Sequence, residues 1–453
     1  MTTHSPQEDP TLVERLALLI AAGDIAALES AVEDLHASDV ADVVESLRTD
    51  EMRVALVRAL PSGLASEALA EMEEGDEAAD LLVALAPEES AELIQELADD
   101  DAADLIAELE PEDQDRILAE LPVEEAGELR GLLQYDEESA GGLMTTALVS
   151  VEAHLTAGQA IEQVRAQGRE VGDFYFVFVV DADERLQGTV RLADLILADP
   201  AETVEQLVRP TVASVVPDED QEEVGRRITR YNLASIPVVD GDGVLLGRIT
   251  FDDVIDVIEA EQTEDLLLFS GGSDEEELTG TWLEAVRNRL PWLLLHSLTL
   301  SVAVSVIVVF EDLVDQIWQL AVIMPLIAGL GGNAGTQALA VTVRRIATSG
   351  GPLEKKRHVV TKELLVALVN GAVVAAVIGL GAGLLLGQPV LGWIVLFAMW
   401  GNIVVAGFAG AFIPTLLERM GADPAVASSV FLTTLTDLVG FFLLLSLASA
   451  FLV

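Results

Sequence analysis

The sequence predicts a multidomain membrane protein with three kinds of structure in succession: an α-helical superhelical N-terminal domain, a duplicated α/β region, and an all-α transmembrane domain of five helices. Three observations predict it. The chain carries 77 acidic and 24 basic residues, a net charge of −53, and the whole imbalance precedes residue 281. From Thr281 onward nine acids face nine bases, and the apolar runs reach the roughly 20 residues needed to cross a bilayer. Between these two regimes one α/β pattern occurs twice, at a fixed offset of 59 residues.

The acidity excludes nucleic acid as a partner of the first 280 residues, because phosphate is repelled. Only three lysines stand against 21 arginines. An acid-rich, lysine-poor surface is also what a salty environment favours, so the placement of particular acids says more than their number. Cysteine is absent, which excludes disulfides and thiolate metal sites. With five histidines and many carboxylates, the ligand inventory suits hard cations such as Mg²⁺, Mn²⁺ or Ca²⁺ rather than zinc or copper. The opening MTTHSPQEDP lacks the charged and apolar regions of a signal peptide, so the acidic half is expected in the cytoplasm.

Residues 1–135 form the acidic helical domain. The phrases LPSGLASEALAEM (from Leu60), LAPEESAELIQEL (from Leu85), LEPEDQDRILAEL (from Leu109) and LPVEEAGELRGLL (from Leu121) share one pattern. Each has Leu, a Pro within two residues, and leucines at helical spacing; in the last three, acids crowd the first turn. Pro at the first position and acids beside it start helices, and the short period implies a superhelical stack. The run Asp99, Asp100, Asp101 and then Asp104 reads as a solvated helix start, or as metal ligands when packed against a second acidic surface.

Residues 136–260 hold the duplication. FYFVFVVDADERLQGTVRLADLI (from Phe174) matches ASIPVVDGDGVLLGRITFDDVI (from Ala234), pairing Asp181 with Asp240, Gly188 with Gly247 and Asp194 with Asp253. Each copy reads as an apolar strand, an acidic turn, a Gly, a second strand and a helix that starts at an Asp. The region resembles a tandem of CBS domains, which implies adenine-nucleotide or ion sensing and, here, ATP as a ligand. The first copy departs from the pattern, with Phe178 where Pro237 lies and Arg191 where Thr250 lies.

Residues 261–280 are the connector. Asp253, Asp256, Glu261, Glu264 and Asp265 recur on a helix leading to it, and Gly271 and Gly272 break that helix. The bland alternative is a charged, solvated linker. Residues 281–453 then give five spans: Arg289–Phe310, Ile317–Ala347, Val359–Gly387, Val390–Leu417 and Ala425–Val453. All nine bases fall on one side of such a bundle, which places the N-terminus in the cytoplasm and the C-terminus outside.

Two spans carry polar groups. The second contains Pro325, four glycines (Gly329, Gly331, Gly332 and Gly335) and then Asn333, Thr336 and Gln337. Glycine and proline here allow either close helix packing or an unwound segment beside a water-filled path. On the fifth, Ser429, Thr433, Asp437 and Gly440 share one helical stripe. Asp437 has no base in its own apolar run, and a charged side chain at mid-bilayer costs roughly 2.5–3.5 kcal/mol on insertion scales, so it reads as a cation site in a pore, the bland alternative being a protonated Asp hydrogen-bonded to a neighbouring helix.

The motifs PLIAGLGGNAGTQALAVTVRRIA (from Pro325) and DPAVASSVFLTTLTDLVGFF (from Asp423) resemble those of the MgtE family of Mg²⁺ channels, as does the order of domains over nearly the whole chain. The resemblance implies a homodimer in the plasma membrane, with Mg²⁺, and also Co²⁺ or Mn²⁺, as substrate. It implies a pore from the second and fifth spans, with Asp437 and the Thr433 backbone holding the ion and Gly331, Gly332, Asn333, Gly335, Ser429 and Gly440 lining it. It makes Asp253, Asp256, Glu261, Glu264 and Asp265 cytosolic Mg²⁺-sensing acids, with Asp99, Asp101, Asp104, Asp220 and Glu222 as further candidates, and the connector a plug. High internal Mg²⁺ would bridge the acidic faces and shut the channel. Two rivals stand beside it: a secondary transporter coupled to protons through Asp437, and a membrane sensor that reads ATP and transports nothing. No catalytic triad, phosphate-binding loop or clustered general base points to an enzyme.

Overall fold

The computed structural model describes residues 10–23, 25–32, 35–47, 49–72, 76–169, 171, 174–270, 282–348, 353–420 and 428–452. It divides into two units, Met1–Ile258 and Glu259–Val453, and each is taken by itself.

The first unit opens with ten short helices: α1 (Pro10–Ala22), α2 (Ile25–Val32), α3 (Ala37–Ser46), α4 (Asp50–Ala59), α5 (Ser62–Ala70), α6 (Asp76–Ala84), α7 (Pro87–Glu96), α8 (Asp99–Ala107), α9 (Pro111–Glu120) and α10 (Val123–Leu132). The repeated phrases become α5, α7, α9 and α10. α7 and α9 start at their prolines, and the Glu89 carboxylate reaches back to accept from the Ala86 N–H at 3.0 Å. The leucine that opens each phrase, Leu60, Leu85, Leu109 or Leu121, is buried in the stack. Two buried hydroxyls tie turns together. Ser66 Oγ donates to the Leu93 carbonyl at 2.8 Å, joining α5 to α7, and Ser90 Oγ donates to Leu82 at 2.7 Å.

The duplicated region follows as β1 (Ser150–Glu152), α11 (Ala157–Gln167), β2 (Phe176–Val180), β3 (Leu186–Arg191), α12 (Leu192–Leu197), α13 (Val204–Leu207), α14 (Gln221–Tyr231), β4 (Ser235–Val239), β5 (Leu245–Thr250) and α15 (Phe251–Ser270). The two antiparallel hairpins share one register. Phe176 pairs with Arg191 and Ser235 with Thr250, with a bulge after Val179 and after Val238. The matched glycines do matched work. A Cβ on Gly188 would strike the Arg209 carbonyl, and one on Gly247 would sit 2.7 Å from the Thr145 carbonyl, so each lets a neighbouring segment approach its strand.

The two copies differ in their cores. The first buries its own cluster around Val177, Val179, Val190 and Leu195. The second shares one continuous core with the helical stack, in which Ile236, Val238 and Ile249 join Leu56, Leu82 and Ile106. The helical domain therefore has no core separate from the second copy.

The second unit holds the rest of α15 and then α16 (Trp282–Val309), α17 (Glu311–Gln316), α18 (Gln319–Thr348), α19 (Leu353–Leu385), α20 (Pro389–Met420) and α21 (Ser428–Leu452). Five of these are long. Four are long and apolar enough to cross a membrane, over Ala285–Val309, His358–Leu385, Pro389–Met420 and Val430–Leu452. α18, expected as the second span, has 30 residues and so the length, about 45 Å at 1.5 Å per residue. Its centre is less apolar, because four glycines, Asn333, Thr336 and Gln337 replace aliphatic side chains. α20 is the central helix, buried along both flanks, whereas α16 is exposed almost all round, as a lipid-facing helix is. Trp282, Trp318 and Trp393, near the ends of spans, are exposed where interfacial anchors sit. α18 runs as an unbroken α-helix through Pro325 and the glycines, and Gly331 and Gly335 serve close packing, whereas Gly329 and Gly332 face open space.

Candidate functional site

In the first unit the acids of α8 meet the start of α15. The apolar stripe Ala102, Ala103, Leu105 and Ile106 faces the core, and the 3.6-residue period carries Asp100 to the same side. Asp100 is 9 % exposed, and its Oδ1 accepts from the Asp101 N–H at 3.2 Å. Burial first, then the charges of Asp101, Asp253 and Asp99, push its carboxyl up to about 8. Asp104 is pushed to about 7 and Asp101 to about 6, each by desolvation and then by neighbouring carboxylates, Asp253 among them. These two retain exposed surface, so water screens them, and Asp100 bears most of the conflict.

Asp99 has a different task. Its carboxylate accepts from Thr145 Oγ1, from Thr146 Oγ1 and, at 2.9 Å, from the Thr146 N–H, which pins α8 to the segment before β1. Asp253 accepts from the Thr250 hydroxyl and N–H; burial raises its carboxyl, Thr250 opposes this, and Asp252 adds to it. The cation nearest to this group, Arg248, is buried and donates to the Ala147 and Val171 carbonyls at 2.9 and 3.0 Å. Among the described residues no three carboxylates or imidazoles converge tightly enough to hold a metal ion directly. Mg²⁺ does not require that, since it keeps several waters and is commonly bound through one or two carboxylates.

The equivalent position in the first copy is neutralised. Asp194 receives a two-pronged pair from Arg191, at 2.9 and 2.7 Å, and a third bond from Arg209 at 2.9 Å. Its carboxyl is lowered, chiefly by the Arg191 hydrogen bonds. The exchange of Thr250 for Arg191 thus leaves only the second copy with an unneutralised aspartate facing acids.

The other expected sensing residues lie further along α15 or at the start of α14. Asp256 is exposed on α15, and Glu261 and Glu264 lie beyond Ile258 in the second unit. The side chain of Asp265 and residues 271–281, with Gly271 and Gly272, lie outside the described residues. Asp220 caps α14 by accepting from the Glu222 N–H at 2.8 Å, and Glu222 pairs with Arg226 at 3.4 Å. Those two are occupied in holding α14.

In the second unit Asp437 lies midway along α21 and is 8 % exposed. Beside it the Thr433 carbonyl accepts from Thr436 Oγ1 at 3.0 Å. His296 on α16 lies within electrostatic reach of Asp437, and its Nδ1 is buried with no hydrogen-bond partner among the described residues. Of the expected lining residues, Asn333 is exposed on α18 and Gly332 half-buried. Gly331, Gly335 and Gly440 are buried: their missing side chains make room for Asn402, for Leu432 and for Ile327 with Asn402. The side chain of Ser429 lies outside the described residues.

Comparison with known proteins follows the same divisions. A family profile for the MgtE intracellular N domain matches residues 35–138, one for the CBS domain matches 140–200 and 204–260, and MgtE, a divalent cation transporter family, matches 324–447. A protein from Thermus thermophilus named magnesium transporter MgtE is 34 % identical over 94 % of this chain and 95 % of its own. The chain belongs to the MgtE family. A second MgtE, from Enterococcus faecalis, is 41 % identical over 72 % of each chain. The crystal structure of the cytosolic domain of the Mg²⁺ channel MgtE in complex with ATP is 34 % identical, with a TM-score of 0.52, covering 54 % of this chain and 99 % of that one. The soluble part of a magnesium transporter is 31 % identical at a TM-score of 0.51, over 56 % and 99 %.

Within this MgtE chain, sequence reasoning missed Arg248, His296 and Asn402. Asp100 was named within its acidic run but its burial was not, although the phase of the apolar stripe on α8 gave a usable signal. The other three lie on strands or spans whose neighbours no local pattern reveals.

The raised carboxyl of Asp100 sets a sign. The folded state holds its proton up to about pH 8 and the unfolded state only to about 4, so stability is lost as pH rises between them. Without divalent cations the melting temperature should fall from about pH 5 to about pH 8, Asp100→Asn should flatten that slope, and Mg²⁺ should restore stability at the alkaline end. Thermal melts in chelator and in Mg²⁺ check this; an identical slope in Asp100→Asn would contradict it.

Proposed function

We propose that this chain is a Mg²⁺-selective channel that admits magnesium across the plasma membrane and is closed by cytosolic Mg²⁺. Magnesium transport follows from membership of a family whose curated relatives are named magnesium transporters. The observation that carries the pore reading is Asp437, a carboxylate buried at the middle of an apolar helix. An isolated ionised carboxylate in such a place is too costly to keep without a partner, and a hydrated divalent cation supplies one. Mg²⁺ sheds water reluctantly, so one aspartate per subunit with the Thr433 backbone suits an ion held through its water shell.

Several features support the remaining parts. Asn333 and Gln337 face outward on α18, a polar stripe that lipid would not solvate and a second copy would cover. Tyr175, Phe251, Val254 and Ile255 line an apolar cavity of about 440 Å³ on the duplicated region, room for a partner protomer or for the adenine of ATP. Leu268, near the end of α15, is buried among Leu339, Val343, Ala409 and Leu432, which suits a helix that plugs the pore. Asp100, Asp101, Asp104 and Asp253 repel one another until protons or cations intervene, which makes their close packing a cation-dependent state. Asp256, Glu261, Glu264 and Asp265 follow in the sequence of the same helix and belong to the proposed sensor.

The proximity of His296 to Asp437 favours one second reading, a transporter that couples divalent cations to protons. Recordings separate the two. A channel gives unitary Mg²⁺ currents without a pH gradient, whereas a coupled transporter gives saturable flux that follows the gradient.

Asp437→Ala should abolish Mg²⁺ flux into proteoliposomes, or open it to other ions, while the protein stays folded. Wild-type flux and selectivity in this variant would falsify the pore assignment. The cysteine-free sequence makes topology and assembly testable in one labelling series. A cysteine in the Gly387–Trp393 turn should react from outside only, and Asn333→Cys should cross-link two copies; cytoplasmic labelling of the turn or an exclusively monomeric Asn333→Cys would contradict the arrangement.

A further inference from the structure

Asn402 lies on α20, outside both helices assigned to the pore, yet it touches each of them. Its side chain is fully buried, and Nδ2 donates to the Ile327 carbonyl of α18 at 3.1 Å. A Cβ on Gly331 of α18 would run into that nitrogen, and the three atoms it would meet first all belong to Asn402. A Cβ on Gly440 of α21 would stand 2.8 Å from the same nitrogen and 2.7 Å from Ile327 Cγ2. The amide therefore sits in a socket that two glycines on two helices leave open. Two turns along α20 there is no slack either, because a Cβ on Gly410 would fall 2.5 Å from the Gly335 carbonyl.

The amide is not there for packing alone. Its Oδ1 has no hydrogen-bond partner among the described residues, a half-satisfied state that an aliphatic side chain of the same size would avoid. What Asn402 supplies and an aliphatic residue would not is a directional tie from α20 to α18 at the level of Gly440, one helical turn from Asp437. An ion held through its water shell is selected by the spacing of the groups around that shell, and Mg²⁺ demands a near-octahedral shell whereas Ca²⁺ tolerates a looser one, so displacements between α18 and α21 change which hydrated ion fits.

We infer that Asn402 is a positioning residue for ion selection: by fixing Ile327 of α18 beside the Gly440 turn of α21, it sets where Asp437 stands and thereby the preference for Mg²⁺ over Ca²⁺. This rests on the pore reading above. The test is uptake of Mg²⁺ and of Ca²⁺ into proteoliposomes, with thermal melts of the same full-length samples. Asn402→Leu and Asn402→Ala should lower the Mg²⁺:Ca²⁺ uptake ratio by roughly tenfold, the scale of one buried hydrogen bond. Gly331→Ala, whose new methyl clashes with Asn402 alone, should lower the melting temperature. The double variant Gly331→Ala/Asn402→Ala should recover the melting temperature, since the clash is gone, but not the uptake ratio, since the tie is gone too. Recovery of both, or a wild-type ratio in the single Asn402 variants, would overturn the inference. Asp437→Ala separates the two layers: wild-type selectivity there removes the pore reading itself, whereas altered selectivity there with a wild-type ratio in the Asn402 variants removes only the positioning role.

Discussion

A carboxylate taken out of water has to acquire a proton or a cation, and both units of this chain take carboxylates out of water. Asp100 is drawn under α8 by the apolar stripe beside it, and Asp437 is carried into the helical bundle by α21. Among the described residues neither is paired with a lysine or arginine side chain. In the first unit the consequence is a packed state that repels itself until charge is supplied. In the second it is a membrane helix with an unmet charge near its centre. A hydrated divalent cation answers both, and on the proposed function the same ion would be transported and control its transport.

The duplication shows how sequence turns one scaffold to two ends. Both copies place an aspartate at the junction of their second strand and the helix that follows, with the same register and the same bulge. In the first copy Arg191 and Arg209 neutralise Asp194. In the second Thr250 only orients Asp253, and the carboxylate stays available to the acids of α8. The second copy also shares its core with the helical stack, so charge at this junction acts on the packing of the stack. α15 begins at that same junction, and within the second unit its far end packs Leu268 among membrane helices. Population shift needs an element whose packing differs between states, and the proposed function gives α15 that role.

Much of this was legible in the residues. Pro and acid signals marked the starts of α7 and α9, the offset of 59 aligned two hairpins whose registers agree, and the charge division marked where membrane helices begin. The motifs around Gly331 and Asp437 carried the family. What was not legible required partners distant in sequence. The glycines of α18 are compatible with unwinding or with close packing, and only the positions of Asn402, Leu432 and Gly410 decide for packing at Gly331 and Gly335. Asp99 and Asp101 look alike in a run of acids, but Thr145 and Thr146, more than forty residues away, give Asp99 a structural task. Asp220 and Glu222, further candidates by the resemblance, stand in this structure as a helix cap and an ion-pair member. α18 blurs the pattern of apolar spans for the reason it matters, since the polar groups that suit a pore lower its apolarity.

The coupling between cytosolic acids and the pore is tested most directly by recording the purified protein in bilayers while Mg²⁺ is raised on the cytosolic side. Open probability should fall as Mg²⁺ rises in the wild type. With Asp253, Asp256, Glu261, Glu264 and Asp265 changed to Asn or Gln, the channel should stay conductive and become insensitive to cytosolic Mg²⁺. Undiminished closure by Mg²⁺ in that variant would contradict the assignment of these carboxylates as the sensor.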